Sequence, residues 1–165
     1  MIDRPAPKPV PAWGSSLGLL GFTGSSDGQS LADRRRIVER VHRYGWAFDE
    51  RQVAELEDCF IVDAQWSGDI MGVEPIDTVL GRRAIVKWLS GFWSRQDDQR
   101  RHHMMSVLVC DQTAVTARAT SSLLMSACRA SSLDVALTSF YTFDLAKEDG
   151  VWRIRHLFEG CDRTF

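Results

Sequence analysis

The sequence predicts an α+β fold, in which helices from the first half of the chain lie against one sheet built mainly from the second half. In the first half, apolar residues recur at helical spacing. From residue 100 onward, four long β segments are separated by turn signals. Segment 113–125 is rich in Ala, Thr and Ser, and such small side chains suit a strongly curved sheet. These observations predict a cone-shaped barrel, in which a mostly antiparallel sheet wraps around three N-terminal helices and encloses an apolar pocket.

The N-terminal segment is expected to stand apart from this body. Residues 1–29 are rich in Pro, Gly and Ser, a composition that cannot form a packed element alone. We therefore divide the chain into an arm, 1–29, and an α+β domain, 30–165. The apolar segment 17–22 is expected either to dock on the body or a neighbouring subunit, or to share the disorder of the arm.

The first helix is predicted from an N-cap at Ser30 to about residue 48, where Asp49 lies at the edge of its buried face. Its buried face is defined by Ile37, Val41, Tyr44 and Phe48. The remaining predicted elements are helices 50–59 and 82–94, strands 61–68 and 76–80, and β segments 100–110, 113–128, 133–146 and 151–162. Asp149-Gly150 is a strong hairpin signal between the last two segments.

The composition restricts the classes of partner. The chain has 165 residues, 44% hydrophobic and 25% charged, with a net charge of −2, which is ordinary for one soluble domain. This charge gives no reason to expect nucleic acid or a membrane as a partner, and no run approaches the roughly 18 apolar residues of a membrane helix. The N-terminus is a poor signal peptide, so we expect a cytoplasmic protein. Reduced core thiols are expected at Cys59, Cys110, Cys128 and Cys161.

A long predicted strand from Arg100 to Val109 carries one imidazole on each face. Alternation places His102, Met104 and Ser106 on one side and His103 on the other, but does not choose between the two histidines. Adjacent strand residues point apart, so this pair is a poor chelate for one metal ion. We expect no metal and no cofactor.

Asp49 has two open interpretations. The spacing from Asp49 to Gln52 is that of a capping box, so its carboxylate could simply begin the second helix. Alternatively, a carboxylate this close to the core faces the pocket and pairs with an imidazole from the long strand. The two roles are not exclusive, because a carboxylate has two oxygens.

Three local motifs in this order resemble one known family. They are Val41 to Asp49 followed by Leu56 to Ala64, Arg101-His102 at the start of a long strand, and Asp149 to Ile154. Together they cover 31–162 and resemble the SnoaL-like branch of the nuclear transport factor 2-like, or ketosteroid isomerase-like, superfamily. The fold spans enzymes and non-enzymes, so the resemblance alone does not settle function.

The resemblance implies a site. Scytalone dehydratase and hexachlorocyclohexane dehydrochlorinase use an Asp–His pair whose positions match Asp49 and His102. Many relatives carry an Asn four residues after this His, where this chain has Ser106. Tyr44 matches the tyrosine with which ketosteroid isomerases hold a developing oxyanion, although a core aromatic with a satisfied hydroxyl is an alternative.

These features predict a dehydratase, isomerase or cyclase that needs no cofactor and uses a His102–Asp49 dyad as general base. The substrate is expected to be an apolar polycyclic, polyketide-like or terpenoid-like molecule, and the protein a homodimer or homotrimer. The expected substrate-binding residues are Tyr44, Trp66, Trp88, Phe92, Met104 and Ser106. The alternatives are a non-catalytic assembly subunit, like the small subunit of ring-hydroxylating dioxygenases, or a ligand-binding module of the same fold.

Overall fold

The computed structural model describes residues 10–18 and 31–164. Its helices are α1 (Trp13–Ser16), α2 (Leu31–Asp49), α3 (Val53–Asp58) and α4 (Arg82–Ser90), with a 3₁₀ turn at Trp93–Arg95. Its strands are β1 (Phe60–Ile70), β2 (Glu74–Leu80), β3 (Gln99–Cys110), β4 (Thr116–Cys128), β5 (Leu133–Glu148) and β6 (Val151–Cys161). The predicted α+β class is confirmed.

The six strands form one sheet in the order β2-β1-β6-β5-β4-β3. Among the described strands, β1 and β6 pair in parallel and every other neighbouring pair is antiparallel, so the sheet is mostly antiparallel as predicted. Strands β2 and β3 are its two edges. The sheet therefore curves around the helices without closing into a full barrel.

Helix α2 fills the concave side of the sheet, mainly against β3 and β6. Its predicted apolar face is buried, with Ile37 and Val41 at 0% exposure, Tyr44 at 1% and Phe48 at 7%. This face forms the centre of the core, and it fixes the end of α2 beside the first residues of β3.

The end of α2 is set by a Schellman motif rather than by a new helix cap. Arg51 takes a left-handed φ of 54°, its N–H donates to the Phe48 carbonyl (3.1 Å), and the Gln52 N–H donates to the Ala47 carbonyl (2.9 Å). Gln52 is then the N-cap residue of α3 and makes no side-chain cap bond. Asp49 is the last residue of α2, so the interpretation in which its carboxylate begins the second helix is wrong.

Strand β3 contains a bulge that breaks the predicted alternation. The pairing of β3 with β4 shifts between Met105 and Leu108, and Ser106 has a left-handed φ of 52°. Beyond the bulge, Val109 points into the core at 7% exposure while Leu108 is 46% exposed. Ser106 and Leu108 therefore do not share the inward face of His102.

Part of the N-terminal segment contacts the body. Trp13 is buried at 7% exposure, its indole N–H donates to Oδ1 of Asp162 (2.9 Å), and its ring lies 5.1 Å from that of Phe140. A Cβ on Gly160 would lie 2.3 Å from the Phe140 ring and 2.8 Å from Trp13, so only glycine leaves room for this contact. The predicted N-cap Ser30 and residues 19–22 of the apolar segment lie outside the described residues.

The four cysteines are free thiols, and three of them are buried as expected. Cys128 is exposed at the end of β4, where the strand leaves the core, so its predicted core position is wrong. No helix in the described ranges is long and apolar enough to cross a membrane.

Candidate active site

The last residue of α2 and the start of β3 bring Asp49 and His102 into direct contact. Nδ1 of His102 lies 2.5 Å from Oδ1 of Asp49, and the backbone N–H of His102 donates to Oδ2 at 2.6 Å. The two side chains are 4% and 3% exposed. His102 thus contacts both carboxylate oxygens of Asp49, and these two contacts fix the position of the imidazole relative to α2.

Gly45 makes this close approach possible. It lies one helical turn before Asp49, on the side of α2 that faces β3. A Cβ at this position would lie 3.1 Å from Cβ of His102 and 3.2 Å from Cγ of Met104, closer than most real Cβ contacts. Phe48 then borders the imidazole, with an edge-to-face ring contact at 5.0 Å.

The partner of Nδ1 determines the chemistry of the other ring nitrogen. A carboxylate accepts hydrogen bonds, so we assign the proton of the neutral ring to Nδ1. Nε2 is then an unprotonated acceptor. A neutral imidazole whose proton-bearing nitrogen rests on a buried carboxylate can take up a second proton, and the carboxylate stabilises the imidazolium that forms.

His102 lines a cavity of about 50 Å³ between α2, α4 and the concave side of the sheet. Its walls combine aromatic and aliphatic side chains with a few polar groups. The lining residues are Tyr44, Phe48, Trp88, Leu89, Phe92, Gln96, Arg100, His102, Met125, Tyr141 and Glu159.

Three of the predicted substrate-binding residues line this cavity, and three do not. Tyr44, Trp88 and Phe92 are in its wall. Trp66 is fully buried behind Trp88, with ring centroids 4.2 Å apart, so it supports the wall without reaching the cavity.

The other two predicted contacts on β3 are also displaced from the cavity. Met104 packs against Gly45, so its side chain fills the contact between β3 and α2 and does not line the cavity. Ser106 is exposed because the bulge turns it away from the inward face, so it does not line this cavity.

A second buried carboxyl group, that of Glu159 on β6, lines the cavity and was not predicted from the sequence. It is 6% exposed, and the Ser139 hydroxyl donates to its Oε1 at 3.5 Å. Burial raises its pKa, and the charge of His102 together with hydrogen bonds from Tyr141, Cys161 and Ser139 only partly offsets this. A signal existed, because Glu159 stands between the apolar residues Leu157 and Cys161 on the inward face of its strand.

The hydroxyls of Tyr44 and Tyr141 lie near this carboxyl group. Their rings meet edge to face at 5.8 Å. Burial, followed by the charge of Glu159, raises the pKa of both tyrosines well above the ordinary value of 10.0. Both are therefore neutral hydrogen-bond donors at physiological pH.

Arg100, two residues before His102 on the same face of β3, is the cationic member of the lining. Its Nε donates to Oδ1 of Asp98 at 3.0 Å, and Asp98 also accepts from Arg129 at 2.9 Å. The Asp98 side chain is 1% exposed. This ion-pair network holds the start of β3 and leaves the far end of the Arg100 guanidinium beside Met125, at 3.9 Å from its sulfur.

A second row of polar groups crosses the outer face of the sheet. The Ser67 hydroxyl lies 2.8 Å from Nε2 of His156, whose Nδ1 is 3.8 Å from Oδ2 of Asp144, and Arg118 donates to Oδ1 of Asp144 at 2.9 Å. The proximity of His156, and then of Arg118, holds the pKa of Asp144 at about 2. His103 is also outside the cavity, exposed and 2.9 Å from the Ser126 hydroxyl. Within the described ranges, no three His, Cys, Asp or Glu side chains converge as metal ligands.

Comparison with solved structures shows the same fold in several proteins. A variant of Rv3472 from Mycobacterium tuberculosis, described as of unknown function, has a TM-score of 0.71 at 22% identity, covering 87% of this chain and 79% of that chain. ActVI-ORFA from Streptomyces coelicolor has a TM-score of 0.67 at 17% identity, covering 78% of this chain and 97% of that chain. A hexachlorocyclohexane dehydrochlorinase of the LinA-type3 class, from Novosphingobium barchaimii, has a TM-score of 0.65 at 19% identity, covering 80% and 88%. At these identities the likeness establishes the fold alone.

Comparison by sequence gives the family. A search of curated proteins finds no match. The model of the SnoaL-like domain matches residues 29–157, which include α2, the dyad and most of the sheet. The predicted resemblance is confirmed, and the chain belongs to the SnoaL-like domain family.

Proposed function

We propose that this protein is an acid–base enzyme in which Nε2 of His102 removes a proton from a carbon of the substrate. The observation that carries the proposal is the contact between His102 and Asp49 at the wall of an apolar cavity, with both side chains almost excluded from water. A histidine held by a buried carboxylate at the wall of a cavity is an arrangement suited to a general base.

The dyad supplies what proton removal from carbon requires. Asp49 holds the ring in one tautomer and orientation, so Nε2 is available to accept a proton without rearrangement. The imidazolium that forms stays paired with the buried carboxylate. A positioned base of this kind typically accelerates a reaction by about 10²–10⁴-fold. The chemistry needs no metal or redox cofactor.

The fold relatives support an elimination or a related reaction. One of them is named as a hexachlorocyclohexane dehydrochlorinase, an enzyme that removes hydrogen chloride from a cyclic, apolar molecule. Proton removal from carbon begins eliminations, isomerisations and cyclisations alike, and the proposal covers this group of reactions.

The cavity supports an apolar, ring-containing substrate. Its apolar wall is built from Phe48, Trp88, Leu89, Phe92 and Met125, and the other lining residues each bring one polar group that could orient such a substrate. A volume of about 50 Å³ admits only the reacting end of a polycyclic or polyketide-like molecule. The remainder of such a molecule would lie outside the cavity.

The test uses α-tetralone, a bicyclic ketone, in heavy water, and follows replacement of its α-hydrogens by deuterium with NMR. We expect the wild type to catalyse this exchange and His102→Gln to lose it. His103→Gln is the matched control, because this exposed residue is the next one on the same strand. Binding of α-tetralone without exchange, or full exchange by His102→Gln, would contradict the proposal; the first result would favour the ligand-binding alternative.

A further inference from the structure

Glu159 is a buried acid in the cavity that the His102–Asp49 dyad does not use. It comes from β6, whereas His102 comes from β3 at the far edge of the sheet. Curvature of the sheet brings both side chains to one cavity of about 50 Å³. A substrate that reaches His102 therefore also reaches Glu159.

The surroundings of Glu159 favour a neutral carboxylic acid. Its carboxyl group lies among the Ser139, Tyr44 and Tyr141 hydroxyls, and among the described residues no Lys, Arg or His nitrogen forms an ion pair with it. The cationic residue of the lining, Arg100, is held at its Nε by Asp98. Burial raises the pKa of the Glu159 carboxyl group, so that it keeps its proton more readily than an exposed glutamic acid.

An acid that is buried without a charge partner is unfavourable for the stability of the fold. Burying an ionisable group without a charge partner lowers stability, and a glutamine or an apolar residue would fill the same space at less cost. A neutral carboxylic acid is, however, a strong hydrogen-bond and proton donor. That property is useful when a poor leaving group must depart from the substrate.

We propose that Glu159 is the general acid of this site, that its proton goes to the leaving hydroxyl of the substrate, and that the substrate is a β-hydroxy ketone. This inference rests on the proposed role of His102 as base, and it narrows the reaction to dehydration. Hydroxide leaves poorly unless it is protonated, so a site that joins a base with a neutral acid suits loss of water. The hydroxyl of Tyr44 then faces the ketone oxygen.

The step balances without any further reactant. Nε2 of His102 takes the α-proton, and the electrons of that C–H bond form the new double bond. The bond from the β-carbon to the hydroxyl oxygen breaks, and that oxygen takes the proton of Glu159 and departs as water. The products are the enone, His102 imidazolium and Glu159 carboxylate. Return of one proton from His102 to Glu159, through the released water, restores the resting site.

Two probes separate the acid from the base. The first is α-tetralone, whose α-hydrogen exchange needs only the base. The second is its β-hydroxy derivative, which also loses water and rearranges to the fluorescent α-naphthol. We expect Glu159→Gln to lower formation of α-naphthol by about 10²-fold or more. Exchange of the α-hydrogens should fall far less, because it needs only the base.

The outcomes distinguish this inference from the proposed function. Loss of both activities in His102→Gln, together with a far larger fall of elimination than of exchange in Glu159→Gln, supports the base role and the acid role. An equal fall of exchange and elimination in Glu159→Gln would overturn the acid role, because Glu159 would then act on the ketone oxygen or on the structure. If Glu159→Gln eliminates water as fast as the wild type, or if the wild type does not eliminate water at all, the acid role of Glu159 is overturned. The base role of His102 would still stand. Exchange retained in His102→Gln would instead overturn the proposed function.

A measurement without turnover completes the test. The infrared difference spectrum between the wild type and Glu159→Gln at neutral pH should contain the C=O band of one protonated carboxylic acid. A spectrum with only carboxylate bands would overturn the proposal whatever the activities. Retained folding of Glu159→Gln is checked on the same sample from its amide band.

Discussion

The concave and convex faces of the sheet each carry a histidine beside a carboxylate, but the two pairs differ in distance and in burial. On the concave face, His102 and Asp49 are 2.5 Å apart and their side chains are 4% and 3% exposed. On the convex face, His156 and Asp144 are 3.8 Å apart and 30% and 23% exposed. On the convex face, the Ser67 hydroxyl also lies 2.8 Å from Nε2 of His156.

Under the proposed function, the environment of the two pairs, rather than their residue types, decides which of them can act as a base. His102 lines a cavity with an apolar wall, so its charge would be stabilised by Asp49 and not by water. Ser67, His156 and Asp144 cross three neighbouring strands, where backbone N–H groups are used by the strand ladder and are not free to stabilise an oxyanion. The outer row is best explained as a cross-strand polar ladder.

The largest effect on the concave side, after loss of His102 itself, is expected from Asp49→Asn. The amide keeps the size of the side chain but removes the charge that stabilises the imidazolium, and it offers only one acceptor oxygen to the two donors of His102. We expect exchange of α-tetralone to slow by about 10²-fold or more. Asp63→Asn, an exposed residue on β1, is the control, and a wild-type rate in Asp49→Asn would show that the pair is only structural.

A smaller effect is expected from Gly45→Ala. The added methyl group would press on His102 and Met104 and shift β3 away from α2. We expect the exchange rate to fall about tenfold, since small misplacements of a catalytic group are costly. The gain in helix propensity, about 1 kcal/mol, should offset part of the strain, so thermal unfolding should change little. His42→Ala is the control, because His42 is an exposed residue of the same helix. If Gly45→Ala exchanges as fast as this control and the wild type, the role of Gly45 in seating the strand is contradicted.

Glu159→Gln should change how stability depends on pH. The raised pKa of Glu159 means that its contribution is fully present below the ordinary value of 4.5 and is lost as pH rises through the folded-state value. The variant should therefore gain stability relative to the wild type as pH rises. Thermal unfolding at about pH 5 and about pH 8 measures this, and each 1 kcal/mol corresponds to about 2–4 °C in a chain of this size. A constant difference between the two proteins at both pH values would contradict the raised pKa.

The smallest effect is expected on the convex face, from Asp144→Asn. With a pKa of about 2, this carboxylate contributes stability above the ordinary value of 3.8 and loses it as pH falls through about 2. Because the pair is partly exposed, the cost at neutral pH should be under about 1 kcal/mol, measured by denaturant unfolding. Exchange of α-tetralone should not change. A fall in exchange comparable to that of Asp49→Asn would end the distinction between the two faces.

The fold was readable from the sequence because its signals are local and repeated. The spacing of Ile37, Val41, Tyr44 and Phe48 predicted the buried face of α2, and Asp149-Gly150 predicted the last hairpin. The pairing of Asp49 with His102 came from resemblance to a family, since no local pattern joins residues that are 53 positions apart.

The parts of the site that escaped prediction depend on backbone detail or on packing across the sheet. Ser106 was predicted on the wrong face of β3 because a single bulge reverses the alternation of side chains. No residue type in that segment indicates a bulge. Glu159 carried a signal in its apolar neighbours, but only curvature of the sheet shows that it meets the cavity of His102. Gly45 was visible at the edge of the helix face, while its role depends on the approach of β3.

The most direct test of the central claim compares His102→Gln with His156→Gln in the α-tetralone exchange assay. The two substitutions are chemically identical and fall on opposite faces of one sheet. The account predicts that His156→Gln exchanges like the wild type and that His102→Gln falls by about 10²–10⁴-fold, to the uncatalysed rate or near it. Equal rates in the two variants would contradict it, because the buried dyad would then be no more catalytic than the ladder on the outer face.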